Sequence, residues 1–189
     1  MSVANVGNSS ATLNVGQCDT THVEKTDLHY LGGVIDSEGS IYISTEASSD
    51  HRCGFRLKPR FGLTMKTRNG SDGTIELFEE FLNGVGCSYK LAQQRSVDMS
   101  PVADGDDAYG WRLQLTSKSN VLPFLEEIKP YLRLKRHDAE LVLSAPWDSW
   151  YRDREAFEEL VDVRAEIRSM SADRDTKYPA EKLKAEVSL

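Results

Sequence analysis

Residues 52–68 alternate strongly between two kinds of side chain. The odd positions are mainly apolar: Cys53, Phe55, Leu57, Pro59, Phe61, Leu63 and Met65. The even positions are cationic or small: Arg52, Gly54, Arg56, Lys58, Arg60, Gly62, Thr64, Lys66 and Arg68. This alternation predicts a long β-strand with one apolar and one cationic face, and Pro59 and Gly62 indicate a bulge, a bend or an edge in its middle. The chain must therefore form a sheet with its apolar face covered.

The patterns around this strand predict a fixed order of helices and strands. A helix begins at Asp27 after a Thr26 cap and ends at Gly39, and a strand follows over residues 41–46. After the long strand come a helix, two strands and three helices, over residues 74–82, 87–93, 109–116, 119–128, 136–143 and 153–170. Two αββ units with antiparallel pairs make one four-stranded sheet, so we expect helices on its apolar face and an open cationic face. We expect residues 1–25 to be a loosely ordered arm, 26–170 the domain and 171–189 a frayed tail.

The charge of the chain is segregated. The net charge is −7, which by itself argues against a nucleic-acid partner. However, residues 52–68 carry six basic side chains and no acid, and residues 129–136 carry four more. The alternative is an ordinary solvated outer face, but such faces usually mix both signs. We therefore expect the even-numbered face to bind a polyanion, because the local field decides such binding.

The segment LGGVIDSEG, residues 31–39, is apolar and small at its start and acidic at its end. A helix of this kind packs closely against another helix. It also places Asp36 and Glu38 at the negative end of the helix dipole, where carboxylates are disfavoured. A divalent cation removes this conflict, because hard cations take carboxylate oxygens as ligands.

Residues 31–39 resemble the motif that names the LAGLIDADG homing endonucleases, and αββαββα is the order of that fold. Residues 129–143, KPYLRLKRHDAELVL, are similar to the region of the single-motif, homodimeric members in which a basic residue lies beside the catalytic centre. The resemblance covers residues 26–170. It implies an α+β fold with a four-stranded antiparallel saddle sheet, helices on one face and extra C-terminal helices. Two positions depart from the family pattern: Gly32 replaces the usual Ala, and Glu38 replaces the commoner Asp.

The resemblance also implies a mechanism for cutting double-stranded DNA. Glu38, with a backbone carbonyl from Ser37, would hold Mg²⁺ or Mn²⁺. Lys135 would stabilise the transition state, and Asn69 would position water. One motif per chain implies a homodimer across the motif helix, with Gly32, Gly33 and Asp36 at the interface.

Target recognition would come from the exposed face of the sheet. The predicted DNA-binding residues are Tyr42, Ser44, Glu46, Arg56, Lys58, Arg60, Thr64, Lys66, Arg68, Lys90, Arg112 and Gln114. Their guanidinium and amide groups suit base edges in the major groove, whereas others among them would contact phosphates.

Two alternatives to an endonuclease remain open. One is a splicing maturase of the same fold that binds intron RNA, and the other is a non-catalytic DNA-binding regulator. No apolar run approaches the roughly 20 residues that span a bilayer, so we expect no membrane association. The polar N-terminus and three widely spaced cysteines predict a cytoplasmic protein, in a prokaryotic cell or an organelle, with reduced thiols.

Overall fold

A computed structural model describes residues 23–68, 73–95, 108–169 and 178–187. Its elements follow the predicted order: α1 Lys25–Glu38, β1 Gly39–Ala47, β2 Phe55–Arg68, α2 Thr74–Gly84, β3 Lys90–Arg95, β4 Ala108–Leu115, α3 Lys118–Ile128, α4 Arg136–Ser144, α5 Arg154–Ser169 and α6 Ala180–Glu186. A short 3-10 helix, Lys129–Tyr131, joins α3 to the segment before α4. In the part of the chain that is described, no helix has the length and hydropathy needed to cross a membrane.

The four strands form one antiparallel sheet in the order β1-β2-β4-β3. The pairing of β2 with β1 runs without interruption from Ala47 opposite Phe55 to Gly39 opposite Leu63, so Pro59 makes no bulge. On the other side of β2, β4 pairs with residues 61–68. Among the described residues, Pro59 therefore has no strand partner on that side, and a missing N–H is tolerated at such an edge.

The helices cover the face of β2 that carries the odd positions. Phe55, Leu57, Phe61 and Leu63 are buried, and the Phe61 ring packs against Phe124 of α3 with 4.5 Å between ring centroids. The even positions from Arg56 to Thr64 are half-buried or exposed. This confirms the predicted division of the sheet into a covered apolar face and an accessible polar face.

Two details at the ends of the domain differ from the sequence expectation. Helix α1 begins at Lys25 rather than after a Thr26 cap, and Glu24 at its N-cap makes no side-chain capping bond. The frayed tail expected beyond residue 170 is not found at residues 178–187. There Leu183 of α6 is fully buried, and the Tyr178 ring packs edge-on against Phe55 with 5.6 Å between centroids.

Candidate DNA interface and metal site

The end of α1 is joined to the segment before α4 through the Asp36 carboxylate. Asp36 Oδ2 accepts a hydrogen bond from the Arg133 backbone N–H at 2.8 Å, and Oδ1 accepts one from the Lys135 N–H at 3.0 Å. Although partial burial raises the pKa of Asp36, the backbone N–H groups of Lys135, Arg133 and Leu134 lower it below the ordinary value. Asp36 therefore acts as an ionised cap for the entry into α4.

The side chain of Lys135 returns to the same turn of α1. Its ammonium group donates to the backbone carbonyl of Asp36. A cation at a helix C-terminus is stabilised by the helix dipole. The fold thus brings Lys135 to the last turn of α1, where its ammonium contacts Asp36, two residues before Glu38 in the chain.

Glu38 and Ser37 are both exposed at this end of α1. The Ser37 hydroxyl donates to the Val34 carbonyl at 3.1 Å. Among the described residues, none forms a hydrogen bond or ion pair with the Glu38 carboxylate. Asp36 and Glu38 therefore differ in availability, because Asp36 is engaged by the backbone whereas Glu38 faces solvent.

The chemistry of these groups fits a hard divalent cation. Within the described ranges, no three His, Cys, Asp or Glu side chains of one chain come together as a metal site. An exposed carboxylate at the negative end of a helix is stabilised by a bound cation, and oxygen ligands suit Mg²⁺. Glu38 is the residue of this chain that would hold the cation.

The two glycines at the start of the motif have opposite surroundings. A Cβ added to Gly32 would lie 2.4 Å from the Tyr131 carbonyl oxygen, whereas a Cβ on Gly33 would meet nothing within 4 Å. Gly32 is buried and Gly33 is exposed. The structure therefore places Gly32 in a contact within the chain rather than on an open interface. Asp36, also predicted at the interface, makes its hydrogen bonds within the chain, and Gly33 remains available to a second copy.

The polar face of β1 and β2 contains a connected set of hydrogen bonds. Arg60 Nη2 donates to Glu46 Oε1 at 3.0 Å, and Lys58 Nζ lies 3.5 Å from Glu46 Oε2. Arg60 Nε donates to Ser44 Oγ at 3.1 Å. In the strand register, Tyr42 of β1 lies opposite Arg60 of β2. These predicted DNA-binding residues therefore share one surface.

The other half of this face comes from β2, β3 and β4. The register places Thr64 opposite Arg112, and Gln114 opposite Lys90. Lys90 and Arg112 are exposed. With the Gln114 amide turned to satisfy both bonds, its oxygen accepts from Arg112 Nε at 3.2 Å and Nη2 at 3.1 Å.

For two further predicted residues, Lys66 and Arg68, the structure describes the strand register. They occupy even positions of β2 and lie opposite Gly110 and Ala108 of β4. Asn69 lies outside the described residues, so its predicted role stays a prediction.

Sequence reasoning missed the contacts at the tip of the β1–β2 hairpin. Arg56 Nε donates to His51 Nε2 at 3.1 Å, and its Nη2 lies 3.4 Å from Asp50 Oδ2. The His51 ring also contacts Trp150, with 5.5 Å between centroids. The signal available in the sequence was Asp50 just outside the basic run, but its partner depends on how the hairpin closes.

No protein-family model matches this sequence, and no curated protein is significantly similar to it. Solved structures do match its fold. The homing endonuclease I-CvuI in complex with the I-CreI target is 16% identical, with a TM-score of 0.63 over 86% of this chain and 92% of that chain. The archaeal intron-encoded homing endonuclease I-Vdi141I complexed with DNA is 15% identical, with a TM-score of 0.61 over 85% and 94%. The group I intron-encoded homing endonuclease I-CeuI complexed with DNA is 16% identical, with a TM-score of 0.58 over 88% and 78%. The chain therefore has the αββαββα LAGLIDADG homing endonuclease fold.

Proposed function

We propose that this chain is a site-specific DNA endonuclease that cuts both strands of a long, pseudo-palindromic target as a homodimer, with Mg²⁺ or Mn²⁺. The observation that carries the proposal is the geometry at the end of α1. An exposed carboxylate, Glu38, lies on the turn to which the Lys135 ammonium is bound. The strand that follows directly, β1, contributes side chains to the polar face of the sheet. The neighbouring structures support this reading, since they are described as homing endonucleases in complex with DNA.

Each residue has a distinct part in the proposed reaction. Glu38 would hold the cation, together with the equivalent carboxylate of a second copy of the chain. A divalent cation held there would supply Lewis acidity and lower the pKa of a water molecule. Lys135 stabilises negative charge that develops on the phosphate, because its ammonium is fixed in place before the reaction.

The homodimer follows from the single motif. A chain with one exposed acid at this helix end contributes half of a metal site. A two-fold axis beside Gly33 would bring a second copy of α1 against the first, in a self-complementary contact. Gly33 supports this arrangement, because its missing side chain leaves open space on the surface of α1.

The decisive experiment is cleavage of DNA that spans the uninterrupted insertion site of the chain's own gene. The wild-type chain with Mg²⁺ is expected to give double-strand breaks, and Glu38→Gln is expected to lose at least about 100-fold in rate while it still binds DNA. Glu127→Gln makes the same chemical change at an exposed position of α3 and is expected to cleave normally.

Two results would contradict the proposal. Cleavage that persists unchanged in Glu38→Gln would exclude Glu38 as the metal ligand. A chain that stays monomeric in sedimentation at DNA-binding concentrations would exclude the two-fold site. Binding of intron RNA without DNA cleavage would instead identify a maturase.

A further inference from the structure

Glu46 is an acidic side chain on a face that is otherwise suited to a polyanion. It reaches from β1 to two cations of β2, with 3.0 Å from its Oε1 to Arg60 Nη2 and 3.5 Å from its Oε2 to Lys58 Nζ. A carboxylate here repels DNA phosphates and lowers the positive charge available for releasing counterions. Its presence therefore weakens sequence-independent binding to DNA.

The contribution of these ion pairs to folding is small. The Glu46 side chain is 47% exposed, and ion pairs at exposed positions contribute about 0–1 kcal/mol. Although desolvation raises the pKa of Glu46, Lys58 and Arg60 lower it overall, so the carboxylate is ionised at neutral pH. Stability of the fold thus gives little reason for an acid at this position.

Arg60 is held at two of its nitrogens. Its Nη2 donates to Glu46, and its Nε donates to Ser44 Oγ at 3.1 Å. The Arg60 side chain is only 18% exposed. Because a guanidinium is a planar fork, fixing one edge also fixes the direction of the remaining N–H groups. An arginine fixed before binding loses less conformational entropy when it contacts a base.

We propose that Glu46 is a specificity-determining positioning residue, which holds Arg60 for reading base edges and neutralises charge that would otherwise bind phosphates of any sequence. The base edge that a fixed guanidinium recognises best is that of guanine in the major groove. This inference rests on the proposed DNA-binding function and names how part of the target is read.

Asp50 provides a matched control on the same hairpin. Its Oδ2 pairs with Arg56 at 3.4 Å, and the Asp50 side chain is 78% exposed at the hairpin tip. Asp50→Asn removes one negative charge, as Glu46→Gln does, but leaves the contacts of Arg60 intact and leaves Arg56 bound through its Nε to His51 at 3.1 Å. A comparison of the two variants separates the effect of charge from the effect of positioning.

The test measures two properties of the full chain in Ca²⁺, a common substitute for Mg²⁺. The first is the salt dependence of affinity for a random-sequence duplex, and the second is the base-preference profile from selection on a duplex library. Glu46→Gln is expected to make the slope of log affinity against log salt concentration steeper by about one to two. It is also expected to lower the preference for one base about tenfold. Asp50→Asn is expected to change the slope alone. Arg60→Lys keeps the charge and is expected to lose the base preference without the steeper slope.

The outcomes distinguish this inference from the proposed function. A wild-type profile with clear preferences that stays unchanged in Glu46→Gln would overturn the role of Glu46 and leave the endonuclease proposal intact. A loss of preference in Asp50→Asn equal to that in Glu46→Gln would show a pure charge effect and would also overturn it. A wild-type chain with no base preference would contradict site-specific recognition itself, and this inference with it.

Discussion

Asp36 and Lys135 are 99 residues apart in sequence and are joined by two hydrogen bonds, both donated by Lys135. The Lys135 backbone N–H donates to Asp36 Oδ1 at 3.0 Å, and the Lys135 ammonium donates to the Asp36 carbonyl. The first bond fixes the start of α4 on the end of α1. The second places a cation at the turn that carries Glu38.

This relationship predicts a pH-dependent stability. The pKa of Asp36 is lowered in the folded chain. The stabilisation that the Asp36 carboxylate provides is therefore fully present above the pKa that Asp36 has in the unfolded chain, and it is lost as the pH falls through the pKa that Asp36 has in the folded chain. Asp36→Asn is expected to lower the free energy of unfolding by about 1–3 kcal/mol at neutral pH. Urea unfolding of the wild type and of Asp36→Asn over a pH series should show the difference between their free energies of unfolding shrinking below about pH 4. A difference that stays constant down to pH 2 would contradict the role of the ionised cap.

The adjacent glycines of α1 are predicted to respond oppositely to the same substitution. Gly32→Ala forces a methyl group to within 2.4 Å of the Tyr131 oxygen, and overpacking of this kind costs about 1–3 kcal/mol. Gly33→Ala meets no atom within the chain and should stabilise the isolated helix by up to about 1 kcal/mol.

Sedimentation separates the two effects at Gly33. If α1 forms the dimer contact, Gly33→Ala should raise the stability of the chain while it weakens self-association. A dimer of unchanged affinity in Gly33→Ala would place the interface elsewhere.

Gly62 lies in the interior of β2, opposite Ser40 of β1 and Gln114 of β4. A Cβ there meets nothing within 4 Å, so the fold does not require a glycine. Gly62→Val is expected to stabilise the strand by up to about 1 kcal/mol and to weaken DNA binding, because the side chain would occupy space that DNA approaches. Thermal unfolding and a DNA titration measure the two effects. Ala47→Val adds bulk at an odd position of β1 and should leave DNA affinity unchanged, whereas unchanged affinity in Gly62→Val would contradict the close approach.

The C-terminal helix is predicted to be part of the stable domain. Leu183 is fully buried, and Val187 is 6% exposed. Leu183→Ala is expected to lower the free energy of unfolding by about 2–5 kcal/mol, measured by urea titration. Glu181→Gln, at an exposed position of the same helix, should have little effect. If both variants unfold like the wild type, α6 contributes nothing to stability.

The elements of the fold could be predicted because their patterns are local. The alternation in residues 52–68 determines the two faces of β2, and the motif in residues 31–39 determines a helix with small and then acidic residues. The boundaries were less accurate where no strong local signal marks them. Helix α1 begins at Lys25 without a side-chain cap, and α6 is stabilised by contacts with distant parts of the chain.

The order of elements, the segregation of charge and the two acids at the end of α1 follow from local patterns along the chain. Which groups are free to act depends on contacts that form only in the folded chain. Asp36 is engaged by backbone N–H groups from around residue 135, whereas Glu38 is exposed. Gly32 is closed off by Tyr131, whereas Gly33 is open. The physical reason is that hydrogen-bond partners and steric neighbours come from segments far away in sequence, which no local pattern encodes.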